Sequence, residues 1–102
     1  MENRLLIAGT VARQPETRTS PAGIPIVRFT LQHRSQRPEA GLQRRVELSL
    51  QVVAAGRELE AVTRTLQEGD AVKVAGFLSR SDHRSSEAKL VLHAERIERL
   101  QP

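Results

Sequence analysis

The stretch that decides the fold is Ile24-Pro25-Ile26-Val27-Arg28-Phe29-Thr30-Leu31-Gln32-His33-Arg34-Ser35. From Val27 onward, its apolar and polar residues alternate strictly. Successive side chains of a strand point to opposite faces, so this pattern predicts a strand that is buried on one face only. Arg28 and Arg34 belong to the face that meets water. Two arginines in this arrangement either hold an anion such as phosphate or keep an exposed strand soluble.

The composition restricts the class of protein. The chain has 102 residues, 38% hydrophobic and 27% charged, which predicts one soluble globular domain over residues 1–102. Its net charge of +4 favours nucleic acid or another anionic partner, although an arginine-rich genome gives the same balance. The absence of cysteine excludes disulfides and thiolate metal sites. No apolar run approaches the ~20 residues that span a bilayer, so a cytoplasmic location is expected.

The first half of the chain is predicted to hold two more strands. Residues 3–13 are apolar on both alternating faces, which predicts a central or interface strand and makes it the candidate dimer contact. Gly9 within it indicates a bend or a close backbone approach. Residues 14–23 form a turn-rich link, and residues 35–43 an exposed, mobile loop. Residues 44–53 alternate again, so they should pair with the quoted strand as a hairpin with a polar outer surface.

The second half is predicted to hold one helix and two strands. Residues 57–68 have apolar positions at helical spacing and stop before Gly69, which predicts a short amphipathic helix. Residues 70–80 and 89–100 are the last two strands. This order is that of an all-β, five-stranded Greek-key barrel with a helix between strands 3 and 4, and the oligonucleotide/oligosaccharide-binding fold (OB-fold) is its common form. Strand count alone also fits another small β-barrel or a sandwich.

Aromatic and histidine side chains offer few candidate sites. Phe29 shares the register of the predicted core, whereas Phe77 is out of register with its apolar neighbours. Phe77 therefore either covers the other side of the barrel or offers one exposed ring, and we expect it to be covered. His33, His83 and His93 lie in three different elements without metal-ligand spacing. No nucleophile–base motif or phosphate-binding glycine loop is present, so no enzyme activity, metal or cofactor is expected.

Several pieces of the sequence resemble the bacterial single-stranded-DNA-binding proteins. They are Asn3-Arg4-Leu5-Leu6-Ile7-Ala8-Gly9-Thr10-Val11, Pro15-Glu16, Gly23 and Leu66-Gln67-Glu68-Gly69-Asp70-Ala71-Val72-Lys73-Val74-Ala75-Gly76-Phe77-Leu78. Three further pieces narrow the resemblance to the primosomal replication protein N family. They are Ser20-Pro21-Ala22-Gly23-Ile24-Pro25, His33-Arg34-Ser35 and Leu90-Val91-Leu92-His93-Ala94-Glu95. General members of the wider family continue into a long glycine-rich tail, whereas this sequence reaches Leu100-Gln101-Pro102 just after the last strand, which favours the narrower choice.

This resemblance implies a homodimeric OB-fold that binds single-stranded DNA when stalled replication forks restart. The protein would connect the DNA with the restart helicase (PriA) and the primosomal loading protein (DnaT), without a membrane or a cofactor. The basic contacts of the family fall on four positions, and two further arginines come from the quoted strand and the following loop. The candidate nucleic-acid-binding residues are Arg18, Arg34, Arg84, Lys89, Arg28 and Arg44.

Two positions depart from the family pattern. Glu47 stands where an outward aromatic often stacks on a base, and Asp82 replaces a basic residue. Stacking is worth roughly 1–3 kcal/mol per base, so we expect weaker DNA binding, carried mainly by arginine. Two other functions stay open: a protein-interaction adaptor with vestigial DNA binding, and an RNA-binding OB module of translation.

Overall fold

The structure is a computed structural model that describes residues 1–81 and 89–100. Over these residues the chain forms β1 (Leu5–Val11), β2 (Glu16–Thr19), β3 (Pro25–Glu39), β4 (Leu42–Ala55), β5 (Ala71–Arg80) and β6 (Leu90–Arg99). Between β4 and β5, a 3-10 turn (Arg57–Leu59) leads into a single helical turn, α1 (Glu60–Thr63). No helix in this part of the chain is long and apolar enough to cross a membrane.

Five of the strands close into a barrel. Their order is β1-β5-β6-β4-β3, and the barrel closes because β1 also pairs with β3 through Thr10↔Gln32 and Val11↔Leu31. β4 and β6 are parallel, whereas every other pair is antiparallel. The short β2 adds to the outer edge of β3. The predicted five-stranded OB-fold barrel is confirmed, with β2 as an addition inside the segment predicted to be a link.

The alternating side chains of the strands build the core, as predicted. Val27, Phe29 and Leu31 of β3 are all buried and face Val52 and its neighbours on β4. Full burial of each such side chain stabilises the fold by about 1.5–3 kcal/mol relative to exposure. The strict alternation therefore fixes which face of β3 enters the barrel and which remains outside. The central core cluster is Val11, Phe29, Leu31, Val52, Leu66, Val72, Val74 and Leu92.

The prediction of a loop at residues 35–43 is wrong. β3 and β4 stay paired throughout this segment. Ala40 and Gly41 alone form the turn, with φ of +52° and +80°, both positive as in the tight type I′ turn of β-hairpins. The segment resembles a loop because it holds Pro38 and several charges, but an exposed ribbon tolerates both. As a result, the outer face of the hairpin is longer than predicted.

The predicted helix over residues 57–68 is also shorter in the structure, since α1 ends at Thr63. Beyond Thr63 the backbone N–H groups bond three residues back, from Thr65 to the Val62 carbonyl and from Leu66 to the Thr63 carbonyl, so the chain tightens and the helix does not continue. Residues 64–65 and 68–69 are turns, and residues 66–67 between them have no regular secondary structure. Leu66 is still buried in the core cluster, so its apolar spacing predicts burial correctly.

Candidate nucleic-acid interface

The outer surface of β3 and β4 carries the face predicted to meet an anion. Even-numbered side chains of β3 and odd-numbered side chains of β4 point away from the core, because Phe29 and Val52 point into it. The outward positions are opposite one another in the sheet. The pairs are Arg28↔Val53, Thr30↔Gln51, Gln32↔Ser49, Arg34↔Glu47 and Gln36↔Arg45.

Hydrogen bonds between side chains order the middle of this face. Ser49 Oγ donates to Gln32 Oε1 at 2.7 Å, and Gln51 Nε2 donates to Thr30 Oγ1 at 3.0 Å. Each amide carries two donor hydrogens and a carbonyl oxygen, so both retain hydrogen-bonding capacity for a ligand. The middle of the face is therefore polar and held in place before anything binds.

Arg34 lies farther along this face, opposite Glu47. Its Nε is 3.7 Å from Glu47 Oε1, and both side chains are largely exposed. Together with Arg45, they line a shallow depression of about 460 Å³. An exposed ion pair contributes little because water and salt screen it. Arg34 can therefore exchange Glu47 for a phosphate at small cost.

Two more of the predicted residues lie on the same surface. β2 pairs with β3 so that Arg18 is opposite Ile26 and Glu16 is opposite Arg28. Opposite residues in a sheet point to the same side, so Arg18 and Arg28 both face outward. Both are exposed. The structure therefore brings Arg18, Arg28 and Arg34 onto one outer surface across β2 and β3.

Arg44 lies on the other face of the hairpin. It is even-numbered on β4, and this strand turns its even-numbered side chains toward the core side. Its guanidinium forms an ion pair with Glu39 near the hairpin turn. The structure therefore does not bring Arg44 together with Arg34.

Lys89 directly precedes β6, and the other two predicted residues of this region, Arg84 and Asp82, lie outside the described residues. Lys89 is held by two hydrogen bonds, in which its N–H donates to Ser81 Oγ and its carbonyl accepts from the Ser81 N–H. β6 runs parallel to β4 from the pair Gln51↔Val91. Lys89 is two residues before Val91, and Ser49 is two residues before Gln51. Lys89 therefore lies toward the Ser49 end of the polar face.

The prediction that Phe77 is covered is wrong. Its side chain is 40% exposed, and its ring stacks on His93 with centroids 5.0 Å apart and planes at 10°. The two residues are opposite each other on β5 and β6. The sequence does contain the signal, since Val72 and Val74 are buried and an odd-numbered residue on the same strand must point outward.

One edge of β1 is open over most of its length. β1 pairs with β5 from Leu5 to Thr10, but with β3 only at Thr10 and Val11. In the part of the chain that the structure describes, no strand pairs with residues 5–9 along the edge nearest β3. The Ala8 carbonyl on β1 is instead within 2.6 Å of His33 Nδ1, which donates to it.

Across residues 1–81 and 89–100, no cluster of three or more His, Asp or Glu side chains is arranged to hold a metal ion. The surface described above contains guanidinium, amide and hydroxyl groups, with the carboxylates of Glu16 and Glu47 opposite two of the arginines. Guanidinium, amide and hydroxyl groups donate hydrogen bonds to phosphate oxygens and to base edges.

A closed barrel with an ordered polar and basic outer face defines the class of OB-fold proteins that offer one sheet face to a ligand. The comparisons with known proteins specify the family. The model of a family described as "Another single-strand binding protein family" matches residues 3–96. The chain belongs to this single-strand binding family, within its group of replication restart proteins PriB.

The individual relatives agree in sequence and in fold. Replication restart protein PriB of Photorhabdus laumondii is 46% identical over 96 residues, which cover 94% of this chain and 91% of the relative. The structure of PriB from Ralstonia solanacearum is similar with a TM-score of 0.82 and 31% identity, covering 99% of this chain and all of the other. The single-stranded DNA binding protein of Thermus aquaticus has a TM-score of 0.81 and 25% identity, covering 98% of this chain and 50% of its own.

Proposed function

We propose that this chain binds single-stranded DNA through the outer face of β2, β3 and β4 and acts, without catalysis, in replication restart. The observation that carries the proposal is the surface on which Arg18, Arg28 and Arg34 flank a hydrogen-bonded polar row. Lys89 leads toward the same surface, and Arg84 is included because of the resemblance of the sequence to the family. The names of the relatives support both the ligand and the process.

Binding at this face is mainly electrostatic. Guanidinium groups hold phosphate oxygens with a planar fork of donors, and these contacts carry no sequence information. Glu47 occupies a position where an aromatic ring would stack on a base, and its carboxylate also repels phosphate. The resulting DNA binding is independent of base sequence, and its affinity falls steeply as the salt concentration rises.

The protein is a homodimer in this proposal, with the open edge of β1 as the contact. An unpaired strand edge offers backbone N–H and C=O groups to a second strand. Leu6 on β1 is 65% exposed, so pairing of two such edges would bury apolar surface as well. The two DNA-binding faces would then belong to one particle, which raises the effective affinity for a longer strand.

The second part of the proposed role is that the dimer connects DNA, the restart helicase (PriA) and the loading protein (DnaT). DNA that is held by exposed ion contacts dissociates readily as salt or competing charges rise. Transfer of the DNA from one partner protein to the next requires such reversible binding. The resemblance of the sequence to the PriB group supports this assignment.

A titration with three nucleic acids tests the proposal. Fluorescence anisotropy should show binding of a labelled deoxythymidine oligomer. Binding of the corresponding duplex should be weaker because a duplex is stiff and keeps its bases stacked inside the helix, so it cannot follow the curved face of the barrel. Preference for the RNA oligomer would instead assign the chain to RNA. No binding of any of the three at low salt would reject the proposed ligand.

One observation favours a second function, that of an adaptor whose DNA contact is vestigial. The ion pair between Arg34 and Glu47 partly neutralises one end of the basic surface. The double variant Arg34→Ala and Lys89→Ala separates the two functions. If it still stimulates the restart helicase as the unmodified protein does, the adaptor function holds; loss of stimulation together with DNA binding supports the proposal above.

A further inference from the structure

The outer surface of β5 and β6 presents an aromatic platform, which consists of Phe77 and His93. The rings are parallel within 10° and their centroids are 5.0 Å apart, in the range of offset stacking. One face of Phe77 therefore rests on His93, while the side chain as a whole remains 40% exposed. Because His93 already holds the ring in place, a ligand that stacks on it loses little side-chain entropy.

This platform is continuous with the basic surface of β3. In the sheet, Arg28 of β3 is opposite Val53 of β4, and Val53 is opposite His93 of β6. His93 is in turn opposite Phe77 of β5. All four side chains are on the outer side of the barrel, and neighbouring strands are about 4.8 Å apart. Three such steps place the platform about 14 Å round the barrel from Arg28. A strand of nucleic acid held by Arg28 can therefore reach the platform by following one row of the sheet.

The surroundings of Phe77 favour a base over a phosphate. Phe77 lines an open depression of about 470 Å³ together with the N-terminal segment and Glu95. Asn3 fixes that segment, because its side-chain amide donates to the Leu78 carbonyl at 2.8 Å and accepts from the Leu78 N–H at 2.9 Å. Arg4 and the N-terminal Met1 line the same depression and offset the carboxylates of Glu2 and Glu95. The depression therefore has no excess of positive charge to hold a phosphate, whereas the exposed ring can stack on a neutral base.

We propose that Phe77 stacks on a nucleobase of single-stranded DNA whose phosphates follow the row from Arg28. This inference rests on the proposed DNA binding. It adds a base contact on the β5–β6 pair, whereas Glu47 lies on the β3–β4 hairpin. The platform supplies stacking that the β3–β4 face lacks, and stacking is independent of sequence since every base has a π-face.

A tryptophan probe tests the contact directly. The chain has no tryptophan or tyrosine, so Phe77→Trp introduces a single strong fluorophore at the platform. Addition of a deoxythymidine oligomer should quench this fluorescence with the same midpoint as the anisotropy of the labelled oligomer. Ala61→Trp, on the exposed side of α1, is the matched control and should not be quenched.

A second variant tests the energy of the contact. Phe77→Leu keeps an apolar side chain and removes the π-system, and we expect it to weaken binding about tenfold. The slope of log K against log salt should not change, because no phosphate contact is removed. With an oligomer made of abasic nucleotides, the variant and the unmodified protein should bind equally. A thermal unfolding curve like that of the unmodified protein shows that the barrel is intact.

The outcomes separate this inference from the proposed function. If the unmodified protein binds no oligomer, the proposed function fails and the base contact fails with it. If the unmodified protein binds while Phe77→Leu binds equally well and Phe77→Trp is not quenched, only the base contact is overturned. A Phe77→Leu variant that binds DNA normally but no longer stimulates the helicase assigns the platform to a protein partner and also overturns it.

Discussion

Arg34 and Glu47 face each other across β3 and β4, with Arg34 Nε 3.7 Å from Glu47 Oε1. Both side chains are largely exposed, so their attraction is worth about 0.2–1 kcal/mol. A phosphate on the same guanidinium must displace the carboxylate. Glu47 therefore acts as an internal competitor for the anion that Arg34 is proposed to bind.

The first prediction concerns this competitor. Glu47→Gln should raise the affinity for a deoxythymidine oligomer about two- to fivefold at low salt, because it frees Arg34 without changing the size of the side chain. The gain should shrink as salt screens the charges. Fluorescence anisotropy at several salt concentrations measures both effects.

Glu98→Gln is the control for this prediction. Glu98 forms an ion pair with Lys73 at 4.0 Å on another part of the barrel, and its loss changes the net charge equally. A gain in affinity as large for Glu98→Gln as for Glu47→Gln would show that net charge alone, rather than competition at Arg34, sets the affinity.

The second prediction distinguishes the two faces of the hairpin. Arg34→Ala should weaken DNA binding several-fold, whereas Arg44→Ala should change it by less than twofold, because Arg44 faces the other way and pairs with Glu39. The two variants have the same net charge, so long-range steering is equal in both. Equal losses in the anisotropy titration would mean that DNA contacts the other face of the hairpin.

The outer face illustrates how far the sequence predicts the site. The alternation of Val27, Phe29 and Leu31 identifies the buried face of β3 correctly and so places Arg28 and Arg34 outside. The alternation does not predict the face on which Arg44 lies. The sequence predicts a loop at residues 35–43, and without continuous strand pairing there the face of Arg44 cannot be related to that of Arg34. Strand alternation assigns faces only where the pairing is known to continue.

The aromatic platform shows a second limit. The alternation of β5 leaves Phe77 outside, but whether an outward ring is covered depends on what lies opposite it. His93 stands there only because β5 and β6 pair in the observed register, which includes an irregularity between Ala75 and Gly76. A long-range register of this kind cannot be read from periodicity within either strand.

The third prediction concerns the closure of the barrel. A Cβ on Gly9 would overlap the carbonyl oxygen of Gln32, a backbone atom on β3 that cannot move aside easily. Gly9→Ala should therefore lower the free energy of unfolding by about 1–3 kcal/mol. Denaturant unfolding followed by circular dichroism measures the change. Thr10→Ala, at the adjacent exposed position, should stay within about 0.5 kcal/mol of the unmodified protein, and equal losses for both variants would contradict close packing at Gly9.

The fourth prediction tests the dimer. Leu6→Asp places a charge beside the open edge of β1 and should shift the protein toward a monomer in sedimentation at micromolar concentration. Leu90→Asp, at a position of β6 that is similarly exposed, should remain dimeric. A monomeric unmodified protein at that concentration would reject the dimer, and a dimeric Leu6→Asp variant would move the contact away from this edge.

The central claim is that arginines on the outer face of β2 and β3 hold the phosphates of a single strand. The salt dependence of binding to a deoxythymidine oligomer tests it most directly, comparing the unmodified protein with a variant carrying Arg28→Ala and Arg34→Ala. Each neutralised phosphate contributes about −0.7 to the slope of log K against log salt on a single strand. The account predicts a steep slope for the unmodified protein and a slope smaller in magnitude by about 1.4 for the variant; equal slopes, or a binding constant that does not change with salt, would contradict it.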